Sequence, residues 1–266
     1  MAHAIFSFIF KGEEMNVLAS DFDNTLFFKN SERFKESDIK RIKEFQKDGH
    51  LFGICSGRPF SGLLRPMKGI LKPDFFIVST GGAILDKDYH LLYGKTVPFD
   101  IAHEIYLTYQ KETELIVQTL SQDKFYCTNI KEDGERTKIH SVLDMKDEDI
   151  YSISLIESTV ERATQITLEI NQKYQEVEAF QNVDSIDIVA KGCSKGEAII
   201  KLKEIFHFEQ IAGIGDSYND LPMLDVVDTS FTFLSSPQSI QDHADYIVED
   251  IEEAINILCQ KGNKEE

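Results

Sequence analysis

Two aspartates separated by one phenylalanine, Asp21 and Asp23 in VLASDFDNTLF (17–27), end a short apolar run and are followed at once by Asn24 and Thr25. Carboxylates this close repel, so a strand end that carries them needs a cation or a proton to hold them. Three other apolar runs stop in the same way: LFGIC at Ser56-Gly57-Arg58, FFIVS at TGGA (80–83), and IAGIG at DSYND (216–220). In open α/β sheets ligands sit beyond the carboxyl ends of the strands. If these strands are parallel, Asp21, Asp23, Ser56, Arg58, Asp216, Asn219 and Asp220 share one cleft.

Two unit charges about 4 Å apart interact by roughly 4 kcal/mol at an effective dielectric near 20. Something positive must offset that repulsion. With oxygen donors and no His or Cys cluster the fit is a hard cation, and Mg²⁺ is the natural one because it accepts one or two carboxylates beside waters and phosphate oxygens. Ser56, the backbone amides of Gly57 and Arg58, and Lys195 with Gly196 at a helix start are anion-binding groups. An ionised Asp21 can then attack phosphorus and form an acyl phosphate, which splits one hard hydrolysis into two displacements. Asp23 is placed to protonate the leaving oxygen and later to take a proton from water. Lys195 would neutralise Asp21 and the transferred oxygens, while Asp216 holds the cation.

Positioning these residues requires alternating strands and helices. The pattern predicts a helix over SDIKRIKEFQKDG with Ser37 as N-cap, Ile39, Ile42 and Phe45 on one face, and Gly49 as its stop. A helix from about Phe60 follows, and after a middle section come helices over KGEAIIKLKEIF, DLPMLDVV and EDIEEAINILC, with strands at QIAGIG (210–215) and SFTFL. Short apolar strands with intervening helices signal a parallel sheet covered on both faces. The middle reads differently: a helix at IAHEIYLTY, strands at LIVQTL, KFYCTN and YSISLIES, a helix over TVERATQITLEINQKY, and a hairpin pairing VEAFQ with SIDIVA across NVDS. The expected fold class is therefore α/β, a doubly wound Rossmann-like core (15–82 and 186–266) with an inserted α+β cap (83–185) and an N-terminal extension (1–14).

Composition narrows the classes of partner. The chain of 266 residues carries a formal charge of −18. That disfavours nucleic acid and anionic membrane surfaces, both of which draw affinity from Lys and Arg. Cys55, Cys127, Cys193 and Cys259 have no CxxC spacing, which fits a reducing, cytoplasmic setting and small buried hydrophobes. IFSFIF (5–10) is too short for a signal-peptide core, and no run approaches the ~20 apolar residues of a membrane helix. A monomer or small homo-oligomer is expected.

These motifs together resemble the haloacid dehalogenase-like superfamily: DFDNTLF its DxDxT motif, ICSGR its second, Lys195 its third, and GIGDSYNDLPML its GDxxND. The insertion between the second and third motifs is similar to that of the Cof-type branch of magnesium-dependent sugar phosphatases. The resemblance implies Asp21 as nucleophile and Asp23 as acid/base. It also implies metal on Asp21, the Asp23 main-chain carbonyl and Asp216, phosphate on Ser56 and Lys195, and support from Asn219 and Asp220. The implied activity is hydrolysis of a small phosphate monoester such as a sugar phosphate, nucleotide or phosphorylated cofactor. Two positions depart from the branch: Asn24 stands where Gly is usual, and Gly81 stands where an Asn-Gly-Ala turn has its amide.

Ordinary roles compete with these. Asp21 and Asp23 could form an Asx-type turn, Asp216, Asn219 and Asp220 could cap a helix, Lys195 could be solvated, and Arg58 could form an internal salt bridge. The seven histidines form no metal spacing. A phosphomutase would use the same site, and a receiver-type signalling module uses similar acidic strand ends, although such modules lack a large insertion.

Overall fold

Apolar strands of four or five residues without polar alternation have to be covered on both faces, and the computed structural model, which describes residues 15–28, 31, 33–129, 136–157 and 159–262, shows how this is achieved. The expected extension over 1–14 lies outside the described residues. The chain opens with β1 (Val17–Ser20), a ribbon of β2 (Phe27–Phe28) and β3 (Arg33–Phe34), α1 (Glu36–Lys47), β4 (Leu51–Cys55), α2 (Phe60–Met67), β5 (Phe75–Val78), β6 (Ala83–Asp86) and β7 (Leu91–Gly94). A second unit follows, with α3 (Phe99–Tyr109), β8 (Glu114–Gln118), β9 (Phe125–Cys127), β10 (Arg136–Lys138), β11 (Ser152–Ile156), α4 (Val160–Lys173), β12 (Val177–Asn182) and β13 (Ser185–Ala190). The chain then returns through α5 (Lys195–Phe206), β14 (Ala212–Ile214), α6 (Leu221–Leu224), β15 (Thr229–Phe233), α7 (Gln238–Gln241), β16 (Tyr246–Val248) and α8 (Ile251–Gly262).

The larger sheet runs β16-β15-β14-β1-β4-β5-β6-β7. From β16 to β5 every pair is parallel, so the strand ends singled out above lie on one edge. Successive β1 side chains go to opposite faces: Leu18 packs with Ile42, Phe45 and Ile255, while Val17 and Ala19 pack with Ile199, Leu202 and Met223. Strand order reverses between β1 and β14. That is the topological switch point where open α/β sheets bind ligands.

Several expectations are corrected. Residues 83–94, assigned above to the insert, form β6 and β7 and extend the larger sheet antiparallel from β5, because Ala83, Ile84 and Leu85 are buried against it. Residues 185–190 instead join the smaller sheet, β10-β9-β8-β11-β13-β12, so the insert's secondary structure runs from Phe99 to Ala190. Ser37 is not the cap of α1, which starts at Glu36 with Lys35 at N-cap, two residues before the expected cap; among the described residues the Ser37 hydroxyl is buried without a partner. Its neighbour Asp38 serves another helix, its Oδ1 accepting the Glu252 N–H of α8 at 3.0 Å. The helix expected over DLPMLDVV is a single turn, Leu221–Leu224. The expected hairpin forms, with Asn182 opposite Ser185.

The smaller sheet has its own core. Leu115, Val117, Ile153, Leu155, Ile186 and Ile188 bury one face against Ile105 of α3 and Ile166 and Ile170 of α4. Truncating a fully buried Ile to Ala costs about 2–5 kcal/mol, and the two cores are separate apolar clusters. Ile166→Ala is expected to speed amide exchange across β8, β11 and β13 while β1 and β4 keep their protection, as read by hydrogen-exchange mass spectrometry. Equal loss in both sheets would show that the cores are not independent.

Candidate active site

At the switch point the Asp21 N–H donates to the Ile214 carbonyl at 2.9 Å, which ties the end of β1 to the end of β14. The chain then reverses through Asn24 at φ 61°, a left-handed conformation that Asn tolerates and that accounts for its standing where Gly is usual. The turn aims Thr25 at the neighbouring loop, where its hydroxyl donates to Asp216 Oδ1 at 3.2 Å.

Lys195 opens α5, whose N-cap Ser194 accepts the Glu197 N–H at 3.0 Å. Its side chain is 0 % exposed, and Nζ lies 2.6 Å from both Asp21 Oδ1 and Asp220 Oδ1. The other Asp220 oxygen accepts the N–H groups of Asp216 (3.1 Å) and Ser217 (3.0 Å) and the Ser217 hydroxyl (3.3 Å). Capping and charge pairing therefore coexist in Asp220, which holds the lysine with one oxygen and the loop with the other.

Burial dominates the electrostatics. It pushes the Asp21 pKa up, and the Asp220 charge adds to this against the pull of Lys195. Burial alone would favour a neutral Lys195, but Asp21 and Asp220 outweigh it and hold that pKa well above the ordinary lysine value. Asp216 is pushed up to about 6, first by burial and then by Asp220. Carboxylate oxygens of Asp21, Asp216 and Asp220 all lie within 4.8 Å of one another. Three carboxylates against one ammonium leave an excess of two negative charges, which suits a dication. Asp220 is committed to Lys195 and the loop, so Asp21 and Asp216 are the carboxylates left to hold a metal. Two carboxylates plus waters is the donor set Mg²⁺ accepts.

Not every expected residue joins this cluster. Arg58, expected among the phosphate-binding groups with a salt bridge as the alternative, forms the salt bridge: Nε and Nη2 meet Asp23 Oδ2 and Oδ1 at 2.7 and 2.6 Å. Its guanidinium lies 4.9 Å from the centre of the Phe22 ring, and Nη1 donates to the Gly62 carbonyl. The planar cation is fixed between an aromatic face and a carboxylate, an arrangement Arg is suited to. Ser56 is buried at the end of β4 and accepts the Arg58 N–H at 3.2 Å. Asn219 accepts the Ser217 hydroxyl at 2.6 Å. Gly196 is a packing residue, since a Cβ there would lie 2.0 Å from the Pro222 carbonyl oxygen.

Thr25 and Thr80 stand in the quoted strand-end segments without an assigned role, and Asp187 is not singled out by the sequence at all. Asp187 belongs to the insert, yet it accepts the Thr80 hydroxyl of the core at 3.0 Å. The signal available was a lone carboxylate inside the apolar strand SIDIVA. Gly81 also finds its reason: its φ is +88°, and a Cβ would come 2.1 Å from the Ser194 carbonyl oxygen, so no amide side chain fits.

The haloacid dehalogenase-like hydrolase family model matches residues 18–255. The chain belongs to this family. Within it, the chain is 33% identical over 231 residues to a Mycoplasma capricolum protein described only as uncharacterized, covering 79% of this chain and 86% of the other. It is 23% identical to a Bacillus subtilis 5-amino-6-(5-phospho-D-ribitylamino)uracil phosphatase over 89% of this chain and 90% of the other. In fold it is similar to a haloacid dehalogenase-like hydrolase from B. subtilis, with TM-score 0.79, 18% identity and coverage of 90% and 96%. A subclass IIB sugar phosphatase of the superfamily aligns with TM-score 0.76 at 17% identity, covering 93% and 99%. These neighbours agree with the Cof-type architecture of core plus inserted cap. Among the described residues no helix is long and apolar enough to cross a membrane.

Removing one member of a buried ion pair leaves an uncompensated charge, at a cost of about 3–5 kcal/mol. Lys195→Met is therefore expected to lower stability by that amount in metal-free buffer, measured by urea unfolding. A loss below about 1 kcal/mol would mean that Asp21 and Asp220 do not depend on the lysine.

Proposed function

We propose that the protein is a Mg²⁺-dependent phosphatase that hydrolyses small phosphate monoesters through a phosphoaspartate on Asp21. The observation that carries this reading is the buried Asp21–Lys195–Asp220 arrangement, with Asp216 beside it at the switch point. Lys195 occupies Oδ1 of Asp21, and no hydrogen bond to Oδ2 occurs among the described residues, so that oxygen is the nucleophile. It attacks phosphorus as the bond to the ester oxygen breaks, and Asp23 gives that oxygen a proton. In the second step Asp23 takes a proton from water, the water oxygen bonds to phosphorus, and inorganic phosphate leaves with the Asp21 carboxylate restored. The bidentate contact with Arg58 fixes the orientation of the Asp23 carboxylate.

Asp21, Asp216 and the Asp23 main-chain carbonyl would hold the dication, which when bound offsets the repulsion between an anionic nucleophile and an anionic ester. Ser56, the Gly57 amide, Lys195 and Asn219 would take the phosphoryl oxygens. Small substrates are favoured because the insert reaches the core at the site, through Asp187 to Thr80. The phosphatase name of the B. subtilis relative supports the same reaction class.

Asp21→Asn is expected to abolish phosphate release from a panel of phosphate esters with an unchanged circular dichroism spectrum; activity near the unaltered level would refute the covalent role. Chelation should silence the unaltered protein and Mg²⁺ should restore it. Asp23→Asn should lose more rate on poor leaving groups than on good ones, typically about 10²–10⁴-fold for a lost acid/base group, and a uniform loss would count against proton transfer. Inorganic phosphate appearing in step with dephosphorylated product separates the hydrolase from a phosphomutase.

A further inference from the structure

Among the described residues, α3 and α4 pack against one face of the smaller sheet. On the other face, register places Asp187 of β13 opposite Ser154 of β11, and Ser152 of β11 opposite Gln118 of β8. These polar side chains form a chain of hydrogen bonds. Gln118 Nε2 donates to Ser154 Oγ (2.7 Å), Ser154 Oγ donates to Asp187 Oδ1 (2.6 Å), and Thr80 Oγ1 of the core donates to Asp187 Oδ2 (3.0 Å). A Cβ on Gly57 would lie 2.7 Å from Asp187 Oδ2, so the carboxylate rests directly on the loop after β4.

Two features exceed what joining the two units would require. Thr80 is held at φ 54°, where a β-branched residue is an outlier, and strain of this kind concentrates at ligand-binding sites. Among the described residues Gln118 Oε1 and Ser152 Oγ are buried without a hydrogen-bond partner, so this face carries polar atoms that its own hydrogen bonds do not satisfy. Burial raises the Asp187 pKa, and the Ser154 and Thr80 hydroxyls and Lys195 oppose the rise.

We propose that Asp187 determines substrate selectivity: its carboxylate accepts hydroxyl hydrogen bonds from a neutral, hydroxylated leaving group and repels one that carries a second anionic charge. The inference rests on the phosphatase reading, because it is a phosphate held at Ser56 and Gly57 that brings the ester's carbon chain to Asp187. A site built to hydrogen-bond hydroxyls discriminates against an analogue that leaves its polar groups unpaired. A carboxylate in place of a hydroxymethyl group does that and adds like-charge repulsion.

Glycerol 3-phosphate and 3-phosphoglycerate are a matched pair that differ at one terminal carbon, hydroxymethyl in the first and carboxylate in the second. With Mg²⁺ present, the unaltered protein should favour glycerol 3-phosphate in kcat/KM. Asp187→Asn should lower that ratio by about tenfold or more, the worth of one hydrogen bond to a charged group. Ser154→Ala, which removes one donor to Asp187 and keeps the fold testable if the first variant is insoluble, should shift the ratio the same way by a smaller factor. A general loss of closure would slow both esters equally and leave the ratio alone, so a ratio within twofold of the original in the soluble variants overturns the role of Asp187. An unaltered protein that prefers 3-phosphoglycerate overturns it as well. Absence of phosphate release from these esters and from p-nitrophenyl phosphate would overturn the phosphatase reading itself, and this inference with it.

Discussion

Taking the Lys195 ammonium wholly out of water costs several kcal/mol, and two carboxylate contacts offset that cost only if both carboxylates are already fixed. Asp21 is fixed by the β1–β14 junction, and Asp220 by the turn whose amides it accepts. The buried ammonium depends on both carboxylates, and Asp21 depends on the ammonium to offset its burial and its repulsion by Asp220. The result is a preorganised anionic site whose geometry needs little reorganisation when charge moves, a property that electrostatic catalysis draws on.

Close backbone approach is what brings the lysine there. The first turn of α5 lies against α6 at Gly196 and against the strained Ser79–Gly81 segment at Ser194, with no room for a Cβ at Gly196 or Gly81. The segment after β5 therefore has two functions. Gly81 lets the Lys195 helix approach, and Thr80 extends its hydroxyl to the insert.

The insert has its own core and meets the site with a polar sheet face. Apolar packing and polar contact are thus separated on its strands: alternate residues such as Ile153, Leu155, Ile186 and Ile188 pack inward, while Ser154 and Asp187 form the hydrogen-bond chain that reaches the core at Thr80. The excess of negative charge among Asp21, Asp216, Asp220 and Lys195 remains the argument for a dication in the larger unit.

Most of the architecture was legible in the chain, because buried parallel strands leave continuous apolar runs and their acidic or small ends mark the ligand edge. Asp21, Asp216 and Asp220 could be grouped on that basis, and Lys195, at a helix start, joined them through the order of the motifs. Residues 83–94 could not be assigned, since an antiparallel hairpin that extends a sheet has the same local pattern as one that begins a new domain. Ser37 looked like a cap by residue type, yet Asp38 is the residue that caps, for a helix more than two hundred positions away. Spacing likewise could not choose between phosphate and carboxylate for Arg58, because Asp23 becomes its neighbour only when β1 and β4 pair. Residue type and periodicity decided the elements and the chemistry available at their ends. Which charges face one another, and that Asp187 reaches across to Thr80, depended on packing between segments far apart in the chain, which no local pattern encodes.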